Sequence, residues 1–185
     1  MAGELRLDTR IEEVTGGGEA ETLLFALDRA RAQFAWKVEG LDATALRREY
    51  PPSSMTLAGL IKHLALVEEN TVWRDLTGEP PGPTWNLEQF EPDPEWEWHS
   101  ALEDSPAELY ALWRDAVAKA RRAWAEVLGR GGLDQPSRLV LDDGSSPNLR
   151  RILVDTCTEY SRHVGHADLF REAIDGLVGE DPPEH

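Results

Sequence analysis

Two imidazoles and a carboxylate fall at helical spacing in the last long segment of the chain: Glu159, His163 and His166. They belong to a longer series, Leu149, Ile152, Thr156, Glu159, His163, His166, Phe170 and Ile174, whose members are three or four residues apart. Such spacing lines side chains along one face of an α-helix. Both ends of the face are apolar, which marks it as a packing face. Ionisable groups in the middle of a packing face are unfavourable unless they are paired, hydrogen-bonded or bound to a metal. Glu159 and His163, one turn apart, can chelate one ion between them.

A third ligand has to come from another helix. The chain has five histidines, His63, His99, His163, His166 and His185. His185 is the last residue of the sequence, and His99 sits in a connection rich in Pro and Trp. His63 lies between Leu60 and Val67 at helical spacing, so it faces inward. Two His and one Glu with an open fourth position is the donor set of a catalytic zinc site rather than a closed structural one. Nickel, iron and manganese accept the same donors. The ordinary alternative for each residue is structural, because Glu–His pairs one turn apart are common on helix surfaces. The placement of the pair on one inward stripe, in a chain with few other histidines, strengthens the metal reading and leaves the structural one open. His166 is the candidate catalytic residue, as an outer partner of the ligands or a proton carrier. Asp155 and Thr156 lie one turn before Glu159 and are placed to orient it. Cys157 is off the stripe and reads as packing.

Four long helical patterns must position these groups. The first runs from Glu19 to Val38 after Gly16-Gly17-Gly18, with Leu23, Leu27, Ala30, Phe34 and Val38 as its stripe. The second runs from Leu57 to Leu76, with Thr56 as N-cap and Gly78 past its end. The third begins at Ser105-Pro106, a cap followed by Pro at the first helical position, and stops near Gly129. The fourth begins at the similar pair Ser146-Pro147 and ends near Gly176. Four amphipathic helices of this length predict an all-α fold, a four-helix bundle in a single domain spanning 1–185 with its core at about 19–176. Residues 79–104 form a long connection carrying Trp85, Trp96 and Trp98, and three Trp need apolar surface to cover. It is therefore expected to pack over the bundle beside the metal pocket. Trp36, Trp113 and Trp124 read as core; Trp73, Trp96 and Trp98 are pocket candidates. Residues 137–141 before Asp142-Asp143-Gly144 read as a short β-hairpin, and the tail from Glu180 as frayed.

Composition narrows the partners. The chain carries 19 basic and 35 acidic residues, a formal charge of -16. Nucleic acids and anionic membranes are bound through clustered Lys and Arg, so neither is expected. One cysteine, Cys157, permits no intrachain disulfide and suits a reducing compartment. No apolar stretch approaches a membrane span, and the N-terminus lacks an apolar signal core, so a cytoplasmic location is expected. A homodimer is compatible with all of this.

Several stretches resemble the DinB-like (YfiT-type) metalloprotein superfamily. Leu57-Ala-Gly-Leu-Ile-Lys-His63-Leu resembles its first metal-ligand motif, and Glu159-Tyr-Ser-Arg-His163-Val-Gly-His166-Ala-Asp-Leu its last. Asp93-Pro-Glu-Trp-Glu-Trp-His-Ser and Arg171-Glu-Ala-Ile-Asp-Gly resemble the actinobacterial branch. The resemblance implies a DinB-like bundle with a divalent metal held by three side chains at one end. Most members use three His; here Glu159 takes the middle position, so that the implied triad is His63, Glu159 and His163. That departure resembles mycothiol-dependent maleylpyruvate isomerases. His166 stands where the usual motif has Gln.

The resulting expectation is a metal-dependent S-transferase, with zinc as the first choice of metal and mycothiol as cosubstrate, acting on a small electrophile. A rival reading is a hydrolase or isomerase that activates water at the same ligands. A third is a non-enzymatic metal-binding or stress-response protein, in which His166 would close the site as a fourth ligand.

Overall fold

The computed structural model describes residues 7–11, 14–82, 84, 85 and 87–183, apart from the side chain of Leu87. Its long elements are α1 (Glu19–Val38), α3 (Leu57–Asn70), α5 (Pro106–Gly131) and α6 (Leu149–Asp175). Two short helices, α2 (Ala43–Leu46) and α4 (Trp96–Ser100), lie in the connections. Among the described residues no β-strand forms, and the fold is the expected all-α bundle of the DinB-like type. No helix among them is long and apolar enough to cross a membrane.

Local chemistry accounts for most of the boundaries. Thr56 Oγ1 accepts from Gly59 N at 3.0 Å and starts α3. Ser105 and Glu108 form a reciprocal cap at α5, with Pro106 at the first helical position. The cap of α6 is Asn148, whose Oδ1 accepts from Arg151 N at 3.0 Å, not Ser146 two residues earlier. Gly176 ends α6 in the left-handed conformation (φ 79°) that residues with a Cβ avoid.

The second helix is not one uniform α-helix to Leu76. After Asn70 it widens into a π-helical segment, Thr71–Thr77. The Thr77 hydroxyl bonds to Val72 O at 3.0 Å and Gly78 N to Trp73 O at 2.8 Å, both five residues back. The wider turn carries Asp75 inward to 2% exposure, where Arg74 holds its carboxylate at 2.7 Å and 3.0 Å.

Helix directions follow from the polar bridges. Arg150 at the start of α6 holds Glu19 at the start of α1, and Arg171 near its end bonds to Lys37 O and Glu39 O at the end of α1. α1 and α6 therefore run parallel. Lys62 reaches Asp104 just before α5, and Glu69 reaches Lys119 further along it, so α3 and α5 also run parallel. Tyr110 near the start of α5 donates to Val38 O at the end of α1, which sets the two pairs antiparallel. The chain leaving Thr77 must thus travel back along the bundle, about 30 Å at ~1.5 Å per helical residue, before α5 can begin. That geometry explains the long connection and brings its last part, α4, against the first turns of α3.

The core is continuous between the four long helices and includes Leu27, Phe34, Leu60, Leu64, Trp124 and Tyr160. Trp113 and Trp124 are buried as expected, and Trp36 is half-buried. A polar chain crosses it. Arg31 grips Glu68 with two bonds of 2.8 Å and 2.6 Å, Tyr160 donates to Glu68 Oε1 at 2.6 Å, and Trp113 Nε1 donates to the Tyr160 hydroxyl at 2.9 Å.

Two expectations fail here. Residues 137–145 form no paired strands: Gly144 N to Leu141 O and Leu141 N to Ser145 O close the turn, the returning chain meets the outgoing one only at Ser137 N to Pro147 O and the single antiparallel bridge Pro136–Asn148, and Arg138 N bonds away to Asp75 O. The described part of the tail is not frayed. Asp181 accepts from Arg29 and Gln33 of α1, and Lys37 Nζ donates to Gly179 O at 2.8 Å.

Candidate metal centre

α3 and α6 run antiparallel and face each other, which brings His63 opposite Glu159 and His163. His63 Nε2 lies 3.3 Å from Glu159 Oε1, and His163 Nε2 lies 3.1 Å from the same oxygen. One donor atom from each of the three residues falls within 4.8 Å of the others. His163 is buried, while His63 and Glu159 keep side-chain exposures of 19% and 27%, so the cluster is reachable from outside. The structure thus brings together the three residues that the sequence spacing points to.

Each member is held from behind. His163 Nδ1 lies 3.2 Å from His166 Nδ1, and His63 Nδ1 lies 3.2 Å from Glu97 Oε1. Glu159 Oε2 accepts from Arg162 Nη1 at 2.8 Å. Asp155 and Thr156 do not take the expected role of orienting Glu159. Asp155 is engaged by Arg151, and the Thr156 hydroxyl bonds back to Ile152 O at 2.9 Å. Trp98 stacks on His63 with centroids 4.8 Å apart and planes at 23°. Trp96 packs instead against Trp85 and Phe90, and Trp73 Nε1 bonds to Asn70.

The remaining candidates lie elsewhere. His99 is exposed and bonded to Asp93 at 2.9 Å, which raises its pKa. His185 lies outside the described residues. Cys157 is half-buried with Sγ 3.7 Å from Leu23 O, and burial pushes its thiol pKa up, so it packs rather than attacks. Glu97 is the site residue that sequence reasoning missed. Its one mark is the Trp-Glu-Trp context of residues 96–98.

The electrostatics suit a cation. Desolvation pushes the Glu159 carboxyl up, but hydrogen bonds from His63 and His163 together outweigh it, and the net direction is down. Desolvation and the neighbouring His63 push His163 down, against the pull of Glu159. An ionised carboxylate beside a neutral imidazole is the state that ligates a divalent ion. Two imidazole nitrogens and a carboxylate oxygen form a mixed N/O donor set that zinc and its neighbours accept. The residues present therefore fit such a metal.

A groove of about 400 Å³ opens beside Glu159 between α3, its π-helical extension, α6 and the 139–147 turn. Val67, Ile152 and Leu139 line it with apolar surface, and Asn70, Arg74 and Asp155 with polar groups.

The fold and the cluster together define a DinB-like helical bundle with a His–Glu–His centre between two antiparallel helices. The family model for mycothiol-S-transferases matches residues 22–176, most of the chain, and the protein belongs to that family. No curated protein is similar enough to the chain to count as a match.

Proposed function

We propose that this protein is a divalent-metal-dependent S-transferase that joins mycothiol to a small electrophile in the cytoplasm. The observation that carries the reading is the convergence of His63 Nε2, Glu159 Oε1 and His163 Nε2 beside a groove, in a chain of the mycothiol-S-transferase family. A divalent ion held by these three, zinc in the first instance, would supply a Lewis acid that favours the thiolate form of a thiol near neutral pH.

The chain's own residues do the rest. Three protein donors rather than four leave a position for a substrate. Glu159 supplies the negative charge, and Arg162 holds its second oxygen so that Oε1 points at the imidazoles. With His163 Nε2 engaged as a ligand, the proton shared between His163 and His166 sits on His163 Nδ1, and His166 accepts it. His166 is then a positioning residue that fixes the ring of His163. Trp98 covers one face of His63 and excludes water from it. In the groove, Val67 and Ile152 offer apolar contact, while Asn70 and Asp155 orient a hydrogen-bonding cosubstrate.

The reading is tested by mixing zinc-loaded protein with mycothiol and a fluorogenic haloalkyl electrophile and following the thioether. Conjugation should exceed the uncatalysed rate, fall to it on chelation, and be slower with glutathione. Metal-replete protein that adds nothing to the uncatalysed rate with mycothiol and several electrophiles would overturn it.

A further inference from the structure

We propose that Glu97, carried by α4 in the long connection, is the outer partner of the metal centre: its carboxylate holds the Nδ1 proton of His63 and so sets the affinity of the site for a divalent cation. The inference rests on the reading of His63 as a ligand.

Both nitrogens of the His63 ring face carboxylate oxygens, Nδ1 that of Glu97 at 3.2 Å and Nε2 that of Glu159 at 3.3 Å. A neutral imidazole has one N–H to donate. With the ring neutral, one of its two edges turns a lone pair toward an oxygen. A cation on the Nε2 side removes that conflict, because the proton then stays on Nδ1 and Glu97 accepts it. This is the carboxylate–histidine–metal arrangement that fixes a ligand's tautomer and strengthens its donation.

Glu97 is also placed at a cost that packing does not explain. It is only 7% exposed, and its Oε2 is buried with no hydrogen-bond partner among the described residues. α3 is notched to receive the segment. A Cβ on Gly59, one turn before His63, would stand 2.5 Å from Trp98 Cε3, so that only glycine lets Trp98 lie against the helix and stack on His63. Glu97 fixes the ring through its nitrogen and Trp98 through its face.

The test compares wild type, Glu97→Ala, Glu97→Gln and Gly59→Ala for zinc affinity, by competition with a chromophoric chelator, and for melting temperature without metal. Glu159→Ala serves as the ligand-loss reference. Glu97→Ala should weaken zinc by about 10- to 100-fold. Glu97→Gln, which keeps an acceptor oxygen but no charge, should fall between it and wild type. Gly59→Ala should weaken zinc by displacing Trp98. The metal-free melting temperature of both Glu97 variants should not fall, which separates positioning from general destabilisation. Glu97 variants that hold zinc as tightly as wild type, while Glu159→Ala loses it, would overturn this proposal and leave the triad standing. Wild-type protein that binds no zinc would overturn both.

Discussion

Glu159 stands between two imidazoles, and its charge is what suits the cluster to a cation. The shifts of Glu159 and His163 have the same sign, both down, and together they keep an anion beside a neutral ring at neutral pH. Acid reverses this by protonating the His163 ring. Because its pKa is lowered, its protonation comes below the ~6.5 of an ordinary imidazole rather than above it. Metal should therefore be retained in full at about pH 7.5 and lost as the pH falls below that ordinary value. Glu159→Ala should carry no stoichiometric metal at any pH in this range. Elemental analysis after desalting checks both points, and a variant that keeps wild-type occupancy would contradict the ligand assignment. Glu159 and His163 stand out in the sequence because an inward stripe with ionisable groups at its centre demands an explanation, and His63 because it is the other histidine with inward helical spacing. Glu97 was not legible. It sits in a five-residue helix without periodicity, in a chain with 35 acidic residues, and only the return of the connection to His63 distinguishes it.

The long helices were legible wherever caps and stripes agreed. The span of α1 and the Ser105-Pro106 start of α5 follow from local chemistry alone. The α6 start was misplaced by two residues because Ser146-Pro147 imitates a cap, while Asn148 makes the bond. The π-helical widening after Asn70 leaves no trace in apolar periodicity, since its signature is hydroxyl and backbone bonding. The tail from Glu180 is expected to fray, yet Asp181 finds Arg29 and Gln33 on α1, a long-range pairing that spacing cannot reveal. The same holds for Arg31 and Glu68, each of which resembles a surface charge until α1 and α3 are brought together. Both are buried, and Glu68 also takes the Tyr160 hydroxyl. Glu68→Ala leaves buried Arg31 with only the half-exposed Asp28 as counter-ion and should cost about 3–5 kcal/mol by denaturant unfolding. The double replacement Arg31→Met with Glu68→Leu should cost much less, because no buried charge is left unpaired. A single variant within about 1 kcal/mol of wild type would show that water reaches the pair, against its burial here.

The whole molecule is organised by its two parallel helix pairs. With α3 and α5 running the same way, the connection between them has to return along the bundle, and its return brings Glu97 and Trp98 to His63. The bundle itself could be read from four amphipathic stretches, and a connection packed over it could be read from its length and Trp content. Its path could not, because direction is decided by which faces pair. The proposed transferase chemistry requires that the His63–Glu159–His163 cluster hold a metal that receives the thiol. Zinc K-edge X-ray absorption on zinc-loaded protein, before and after mycothiol, tests it most directly. Before addition the spectrum should contain only nitrogen and oxygen scatterers at about 2.0–2.2 Å, and afterwards one sulfur at about 2.3 Å. A spectrum without sulfur at saturating thiol, or one that Glu159→Ala leaves unchanged, would contradict it.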